Sequence, residues 1–150
     1  MSIPHDGLTD DDIKKILEEF KVIAVVGMSS DPMKPGHYVP KFLMKHGYKI
    51  IPVNPTVNEI LSLKSYPSLL DVPEDIEIVD VFRRPEYTPE VAKEAVEKKA
   101  KVLWLQEGIY NPQAVEIAKK GGLIVVWNRC LMKEHNRLMG SKPYTSLRKL

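Results

Sequence analysis

The stretch Val22-Ile23-Ala24-Val25-Val26-Gly27-Met28-Ser29-Ser30 decides the fold of this chain. Its first five residues are apolar and mostly β-branched, a pattern typical of a strand buried on both faces. Gly27 ends the run, and a glycine there lets the backbone approach a ligand closely. Free N–H groups that lead into a following helix would form a site for phosphate oxygens. Two interpretations stay open: a phosphate-binding loop, or the ordinary turn of a βα unit.

The rest of the chain continues this alternation of strands and helices. Short apolar runs predict strands at 22–26, 49–53, 76–82, 101–105 and 123–127, with helices between most of them. The second helix should begin near His37, with Pro40 in its first turn. Because βαβ crossovers are right-handed, we expect an α/β, doubly wound parallel sheet of about five strands with helices on both faces. The expected strand order is 3-2-1-4-5.

The composition is that of an ordinary globular domain. The 150 residues carry a net charge of +2, which indicates neither a nucleic-acid nor a membrane partner. We expect one domain over 1–150, with a helix at about 10–20, a core at about 21–138 and a polar tail at about 141–150. A single cysteine and the absence of a signal peptide favour a cytoplasmic protein. The four histidines fall in separate predicted elements, so we expect no metal site.

Polar or conformationally special residues follow every predicted strand. Ligands of such a sheet bind outside the carboxyl ends of the strands, where the strand order reverses. The exits are Gly27-Met28-Ser29-Ser30, Val53-Asn54-Pro55, Phe82-Arg83-Arg84-Pro85, Gln106-Glu107-Gly108 and Asn128-Arg129-Cys130. This concentration exceeds what a plain scaffold requires, so we expect the functional site at these exits.

A conventional dinucleotide site is disfavoured. The G-x-G-x-x-G fingerprint is absent after Gly27, and Asn54 stands where an acidic residue would bind the ribose. The length of the loop and the presence of Lys34 suit a ligand with more phosphate. Arg83 and Arg84 are adjacent in extended chain, so only one should face a given side. Either one of them binds a phosphate through its guanidinium, or both are solvated surface residues.

Motifs at 24–29, 46–48, 51–55, 66–69, 79–85, 104–108 and 128–130 occur in an order typical of a known family. This order resembles that of the small single-domain coenzyme A-binding proteins of bacteria and archaea. It is also similar to the Rossmann-like CoA-binding amino-terminal domain of the succinyl-CoA synthetase α subunit. The resemblance covers about residues 20–138.

The resemblance implies that coenzyme A binds across the strand ends. The residues implied for the pyrophosphate are Gly27, Met28, Ser29 and Ser30, with Lys34 as a cation. Those implied for the adenosine are Val53, Asn54 and Pro55, and Arg83 or Arg84 would meet a phosphate. Those implied for the path to the pantetheine and thiol are Gln106, Asn128, Arg129 and Cys130.

Cys130 permits two interpretations. It follows Arg129 and precedes a predicted helix, a setting that lowers the pKa of a thiol and favours the thiolate. A mixed disulfide or thiol exchange with bound CoA would then be available. The alternative is a small buried residue in a tight turn.

Three functions fit the sequence. We expect a non-catalytic carrier, sensor or regulatory module that binds CoA or a short acyl-CoA. The alternatives are a stand-alone NAD(P)-linked or acyl-CoA-handling enzyme, and a protein-interaction subunit built on the same scaffold. A protein partner and the oligomeric state are left open.

Overall fold

The strand β1 (Val22–Val26) lies inside a five-stranded parallel sheet in the computed structural model, which describes residues 2–140. β2 (Lys49–Val53) pairs with one edge of β1, and β5 (Ile78–Val81) pairs with the other. β6 (Val102–Leu105) and β7 (Ile124–Val126) extend the sheet beyond β5. β1 is buried from its second residue onward, as its unbroken apolar pattern predicts.

The strand order differs from the predicted 3-2-1-4-5. Counted along the chain, the five sheet strands lie in the order 2-1-3-4-5, so β2 is an edge strand and β1 pairs directly with β5. Pro52 explains the edge position of β2, because proline has no N–H for a neighbouring strand. Its carbonyl accepts the N–H of Tyr66 on the outer edge, so the missing donor lies on that open side. The predicted order was wrong, whereas the doubly wound α/β class is confirmed.

Helices cover both faces of the sheet. α1 (Asp10–Glu19), α2 (Pro35–Lys45) and α5 (Leu131–His135) pack on the face to which Ile23 and Val25 point. α3 (Thr88–Glu97) and α4 (Pro112–Lys120) pack on the face of Ala24 and Val26. Successive side chains of a strand point to opposite faces, so β1 contributes to both cores.

α1 is the amphipathic helix that the apolar spacing predicts. The Thr9 hydroxyl accepts the N–H of Asp12 at 3.1 Å, and the Asp12 carboxylate accepts the N–H of Thr9 at 2.9 Å. This reciprocal capping box satisfies two N–H groups at the start of the helix. Ile13, Ile16 and Leu17 are buried, which fixes α1 to the sheet.

The segment between β2 and β5 contains a second, smaller sheet and a short helical turn. β3 (Glu59–Ile60) and β4 (Leu63–Lys64) form an antiparallel hairpin, and Leu69–Asp71 forms a 3-10 turn. Leu61 and Ser62 have φ values of 53° and 64°, which is the backbone of a type I′ turn. The usual Asn-Gly signal of this turn is absent, so residue type does not reveal the hairpin.

The start of α2 is built differently from the prediction. α2 begins at Pro35, and Pro40 lies in its second turn rather than its first. Proline cannot donate to the carbonyl four residues earlier, which here belongs to Gly36. The Gly36 carbonyl instead accepts the N–H of Ser29 at 3.0 Å. Pro40 therefore frees a carbonyl that ties the loop after β1 to the following helix.

At Gly27 this loop passes close to the exit of β5. Its φ is 86°, and a Cβ there would lie 2.6 Å from the carbonyl oxygen of Phe82. Both the left-handed backbone and the close approach exclude a side chain. The fold itself therefore requires this glycine, whether or not a ligand binds beside it.

The structure describes the chain as far as a π-helical turn at Asn136–Gly140. The tail predicted at 141–150 lies outside the described residues. Within residues 2–140, every helix is too short or too polar to cross a bilayer.

Replacing Gly27 by alanine should destabilise the ligand-free protein by more than about 1 kcal/mol, because a clash is added to left-handed strain. Gly47→Ala is the matched control, since Gly47 has a φ of 90° but a Cβ there would meet nothing within 4 Å. We expect Gly47→Ala to cost less, as measured by urea unfolding. Equal losses in the two variants would contradict the importance of the contact with Phe82.

Candidate functional site

A crevice opens where the chain leaves β1 and β5 toward opposite faces of the sheet. The loop after β1 leads to α2 on one face, and the exit of β5 leads to α3 on the other. Such a reversal is where ligands bind in open α/β sheets. A cavity of about 710 Å³ occupies this crevice and continues past the exit of β6 to the start of α5.

The cavity brings together most of the residues predicted for the site. Those that line it are Gly27, Met28, Ser29, Ser30, Lys34, Asn54, Arg83, Gln106 and Cys130. Those that do not are Val53, Pro55, Arg84, Asn128 and Arg129. Lining residues that the sequence did not single out include Tyr38, Thr56, Val57, Ile109 and Met132. Neither the residue types nor the spacing of these five indicates a binding site, so the fold is needed to find them.

Hydrogen bonds from three directions hold the loop after β1. Besides the Ser29 N–H bond to Gly36, the Nδ1–H of His37 donates to the Ser29 carbonyl at 2.8 Å. Asn54 donates from Nδ2 to the Met28 carbonyl, also at 2.8 Å. His37 is itself buried beneath the loop. The loop is therefore fixed in its conformation by the protein itself.

The loop has fewer free N–H groups than its sequence suggests. The N–H of Gly27 donates to the Val53 carbonyl, and that of Ser29 is taken by Gly36. An anion in the crevice would therefore depend more on side chains than on the backbone. Lys34 and Arg83 line the cavity, and neither forms an ion pair with another of residues 2–140.

The two adjacent arginines have different environments. Arg83 is half-buried, and its Cζ lies 5.0 Å from the ring centroid of Tyr87. Arg84 is exposed and lies outside the cavity. A guanidinium stacked on an aromatic ring keeps its N–H edge available for an anion. Arg83 is thus the arginine that faces the crevice.

The deep end of the cavity has a polar floor. Gln106 is 4% exposed and donates from Nε2 to Oδ1 of Asp80 at 2.6 Å. Asp80 is fully buried, and its Oδ2 has no hydrogen-bond partner among the described residues. Burial raises the pKa of Asp80 to about 7, although the Gln106 hydrogen bond opposes the rise. The sequence did not identify Asp80 as a site residue, because it lies within β5 rather than at its exit.

The thiol of Cys130 is not activated. Burial raises its pKa, and the charge of Asp80 adds to the rise, although backbone N–H groups of Lys133 and Met132 oppose it. Of the two interpretations of Cys130, the activated thiol does not fit, because α5 has only five residues and desolvation outweighs its N-terminus. Cys130 is a small buried residue that also lines the cavity.

A smaller cavity of about 390 Å³ adjoins the first, beside the N-terminal segment. Arg129 donates from Nε and Nη2 to the Asp6 carboxylate, both at 2.8 Å, and from Nη1 to Glu134 at 3.0 Å. Its charge is therefore satisfied by two carboxylates. The indole N–H of Trp127 donates to the Pro4 carbonyl at 2.7 Å. These contacts hold the N-terminal segment across the end of β7.

The remaining predicted residues have positions of their own. Asn128 accepts the N–H of Gly108 at 2.7 Å, which joins the exits of β6 and β7. Its φ is 57°, a conformation that asparagine tolerates better than most residues. Val53 is buried at the end of β2, and Pro55 is exposed beyond it.

The fold and the crevice define a doubly wound α/β protein with a cavity at the reversal of its strand order, the place where such folds bind ligands. The sequence matches the CoA binding domain family over residues 21–136. The chain therefore belongs to the CoA binding domain family, and the resemblance drawn from its motifs is confirmed.

Relatives of the chain occur both at similar length and within much longer enzymes. The uncharacterized protein YneT of Bacillus subtilis is 44% identical over 124 residues, which cover 83% of this chain and 92% of YneT. The ADP-forming acetate–CoA ligase II of Archaeoglobus fulgidus is 36% identical over 115 residues, which cover 69% of this chain and 17% of the ligase. The chain thus spans a small part of that ligase.

Solved structures have the same fold. A protein from Pyrococcus horikoshii OT3 superposes with a TM-score of 0.89 at 48% identity, over 93% of this chain and 99% of that one. A Thermus thermophilus protein superposes with a TM-score of 0.84 at 39% identity, over 88% of this chain and 100% of that one.

The pKa of Asp80 predicts a pH dependence of stability. Its ordinary value is 3.8 and its folded value is about 7, so the folded state holds a proton that the unfolded state releases. The contribution of Asp80 to the free energy of unfolding is fully present below pH 3.8 and is lost as the pH rises to about 7. Wild type should therefore lose up to about 1.4 kcal/mol per pH unit relative to Asp80→Asn across this window.

Urea unfolding of both proteins at pH 5, 6, 7 and 8, roughly spanning the upper window, measures this difference. The comparison cancels other titrating groups such as His135, whose pKa is lowered by burial. A difference between the two proteins that stays constant with pH would contradict the raised pKa of Asp80.

Proposed function

We propose that this protein binds coenzyme A or a short acyl-CoA in the crevice and acts as a carrier, sensor or regulatory module without chemistry of its own. Membership of the CoA binding domain family supports the ligand. The observation that carries the proposal is that one cavity joins Lys34 and Arg83, which form no ion pair within residues 2–140, to a nearly buried polar floor at Gln106. The charge of CoA is distributed in the same way, because its phosphates lie toward one end and its neutral pantetheine arm ends in a thiol.

The phosphates belong at the loop after β1. Lys34 and Arg83 supply positive charge, and the hydroxyls of Ser29 and Ser30 supply donors. α2 has eleven residues, and its N-terminus at Pro35 and Gly36 lines the same part of the cavity. The partial positive charge of a helix N-terminus favours an anion there. Met28 adds no obstruction, because its side chain is buried in the core.

The adenosine belongs beside the end of β2. Thr56 and the half-buried Val57 line this part of the cavity. The Asn54 Oδ1 accepts both the N–H and the hydroxyl of Thr56, at 2.8 and 2.7 Å, so these residues form a fixed turn. A fixed, partly apolar surface suits a flat base. Val53 precedes this turn, and Pro55 lies within it.

The pantetheine arm belongs at the deep end of the cavity. Ile109 and Met132 supply apolar surface there, and Gln106 and Cys130 form the floor. Asn128 and Arg129 immediately precede Cys130 and form part of the wall of the adjoining cavity. We assign them to holding this wall, since the amide of Asn128 and the guanidinium of Arg129 are already hydrogen-bonded.

A role without chemistry is supported by the state of Cys130. The thiolate, not the thiol, is the nucleophile in exchange reactions, and burial raises the pKa of this thiol. At neutral pH the group is therefore a neutral wall of the cavity. We propose that it contacts the end of the ligand without exchanging with it.

Arg83→Ala should weaken CoA binding about 10- to 100-fold, because a hydrogen bond to a charged group is worth about 1.5–3 kcal/mol. Arg84→Ala is the matched control and should change the dissociation constant less than about twofold, since exposed charges contribute little. Isothermal titration of the full chain measures both. Dephospho-CoA, which lacks the 3′-phosphate, should bind more weakly than CoA.

The alternatives give different results in the same titration. Equal weakening by the two arginine substitutions would contradict the assignment of Arg83 to the phosphates. Tighter binding of NAD than of CoA would favour an NAD-linked protein. No CoA binding by the wild type would overturn the proposal and leave an interaction subunit as the alternative.

A further inference from the structure

The floor of the cavity contains a side-chain pair with an unusual imbalance of donors and acceptors. Asp80 is completely buried within β5, and only one of its two carboxyl oxygens has a hydrogen-bond partner among the described residues. That partner is Nε2 of Gln106, a residue that itself lines the cavity. Gln106 lies 26 residues further along the chain, at the exit of the adjacent strand β6.

This hydrogen bond determines which end of the Gln106 amide is available to a ligand. An ionised carboxylate only accepts, so Asp80 holds the NH₂ group of Gln106 toward itself. The carbonyl oxygen Oε1 is then the end left for the cavity. The side-chain carbonyl donates nothing, so a group that meets it must itself be a hydrogen-bond donor.

We infer that Asp80 is a positioning residue that turns the Gln106 carbonyl toward the cavity, so that the deep end selects the free thiol of CoA over a thioester. The inference rests on the proposed function, in which the pantetheine arm reaches this floor. A free thiol donates its S–H to the carbonyl oxygen. An acyl-CoA has no S–H and adds a carbonyl. Its carbonyl oxygen and Gln106 Oε1 would then be two hydrogen-bond acceptors facing each other with no donor between them, in a nearly buried environment.

Other titratable groups near the cavity do not replace Asp80 in this role. Its register partners on β1 and β6 are Val25 and Trp104, which carry no charge. Before α5, Cys130 has a pKa raised by burial. At the mouth, Glu107 and Lys133 pair with each other at 2.8 Å.

On α2, the facing groups are His37 and Tyr38. His37 is held by the Ser29 carbonyl, and Tyr38 lines the cavity. Neither hydrogen-bonds to Asp80 or Gln106 in the described part of the chain, so the orientation of the Gln106 amide depends on the protonation of Asp80.

Asp80→Asn is the sharpest test, because it keeps the shape and changes the hydrogen-bonding capacity. If the Gln106 amide kept its orientation, the new Asn would leave a buried N–H without a partner, which is rarer in proteins than an unpaired carbonyl. The pair should therefore turn over, with Asn Nδ2 donating to Gln106 Oε1. Gln106 would then present its NH₂ group to the cavity and favour the thioester carbonyl.

Isothermal titration at pH 8 with CoA, acetyl-CoA and desulfo-CoA measures the selection. Wild type should bind CoA about fivefold more tightly than either analogue, as expected for one lost hydrogen bond. In Asp80→Asn the ratio of CoA to acetyl-CoA affinity should fall to one or below. A merely structural defect would weaken all three ligands alike and leave the ratio unchanged, and that result would overturn the inference.

The wild type provides a second measurement that does not depend on the folding of a variant. Below pH 7 the protonated Asp80 can donate to Gln106, so the preference for CoA over acetyl-CoA should shrink between roughly pH 8 and pH 5.5. The phosphates are common to both ligands, so their titration cancels in the ratio. Equal affinity for CoA and acetyl-CoA at all pH values would refute the selection while leaving CoA binding intact, whereas no binding of either would refute the proposed function.

Discussion

The carbonyl of Gly36 is the constraint on which the site depends. Pro40 cannot donate to it, so it accepts the N–H of Ser29 and draws the loop after β1 against the first turn of α2. Gly27 permits this path, because only a glycine fits beside the Phe82 carbonyl. His37 and Asn54 complete the loop by donating to its carbonyls. The protein therefore holds the crevice open through its own hydrogen bonds, without requiring a ligand.

The position of β2 at the edge of the sheet has a direct consequence for the crevice. β1 has the edge strand β2 on one side and β5 on the other. The loops after β1 and β5 therefore leave neighbouring strands and diverge toward opposite faces of the sheet. Arg83 at the exit of β5 then lines the same cavity as Lys34. In the predicted order 3-2-1-4-5, the second strand would have stood between the exits that carry these two cations. The observed order is what brings both cations to one cavity.

The alternation of strands and helices was predictable because apolar periodicity and cap residues are local signals. Thr9 before three aspartates, or Val22 to Val26 before Gly27, act over a few residues. The strand order was wrong although Pro52 contained the necessary signal, since its missing N–H is incompatible with an interior strand. The predicted strand exits supplied half of the residues that line the cavity, because parallel strands bring their carboxyl ends to one edge.

Side chains that act through distant partners were not predictable. Asp80 and Gln106 are 26 residues apart, and Arg129 and Asp6 are 123 apart, so no local pattern relates them. The sequence left two interpretations of Cys130 open because it does not reveal burial, which outweighs the short helix that follows. The burial of His37 was not predictable either, because its partner is a backbone carbonyl, which every residue has.

We propose that this protein holds coenzyme A in the crevice between β1 and β5. A crystal structure of the full chain grown with saturating CoA would show whether it does. We expect phosphate oxygens in contact with Lys34 and Arg83, and the thiol at Gln106. CoA bound instead beside Asp6 and Arg129, or a crevice that stays empty at saturation, would contradict it.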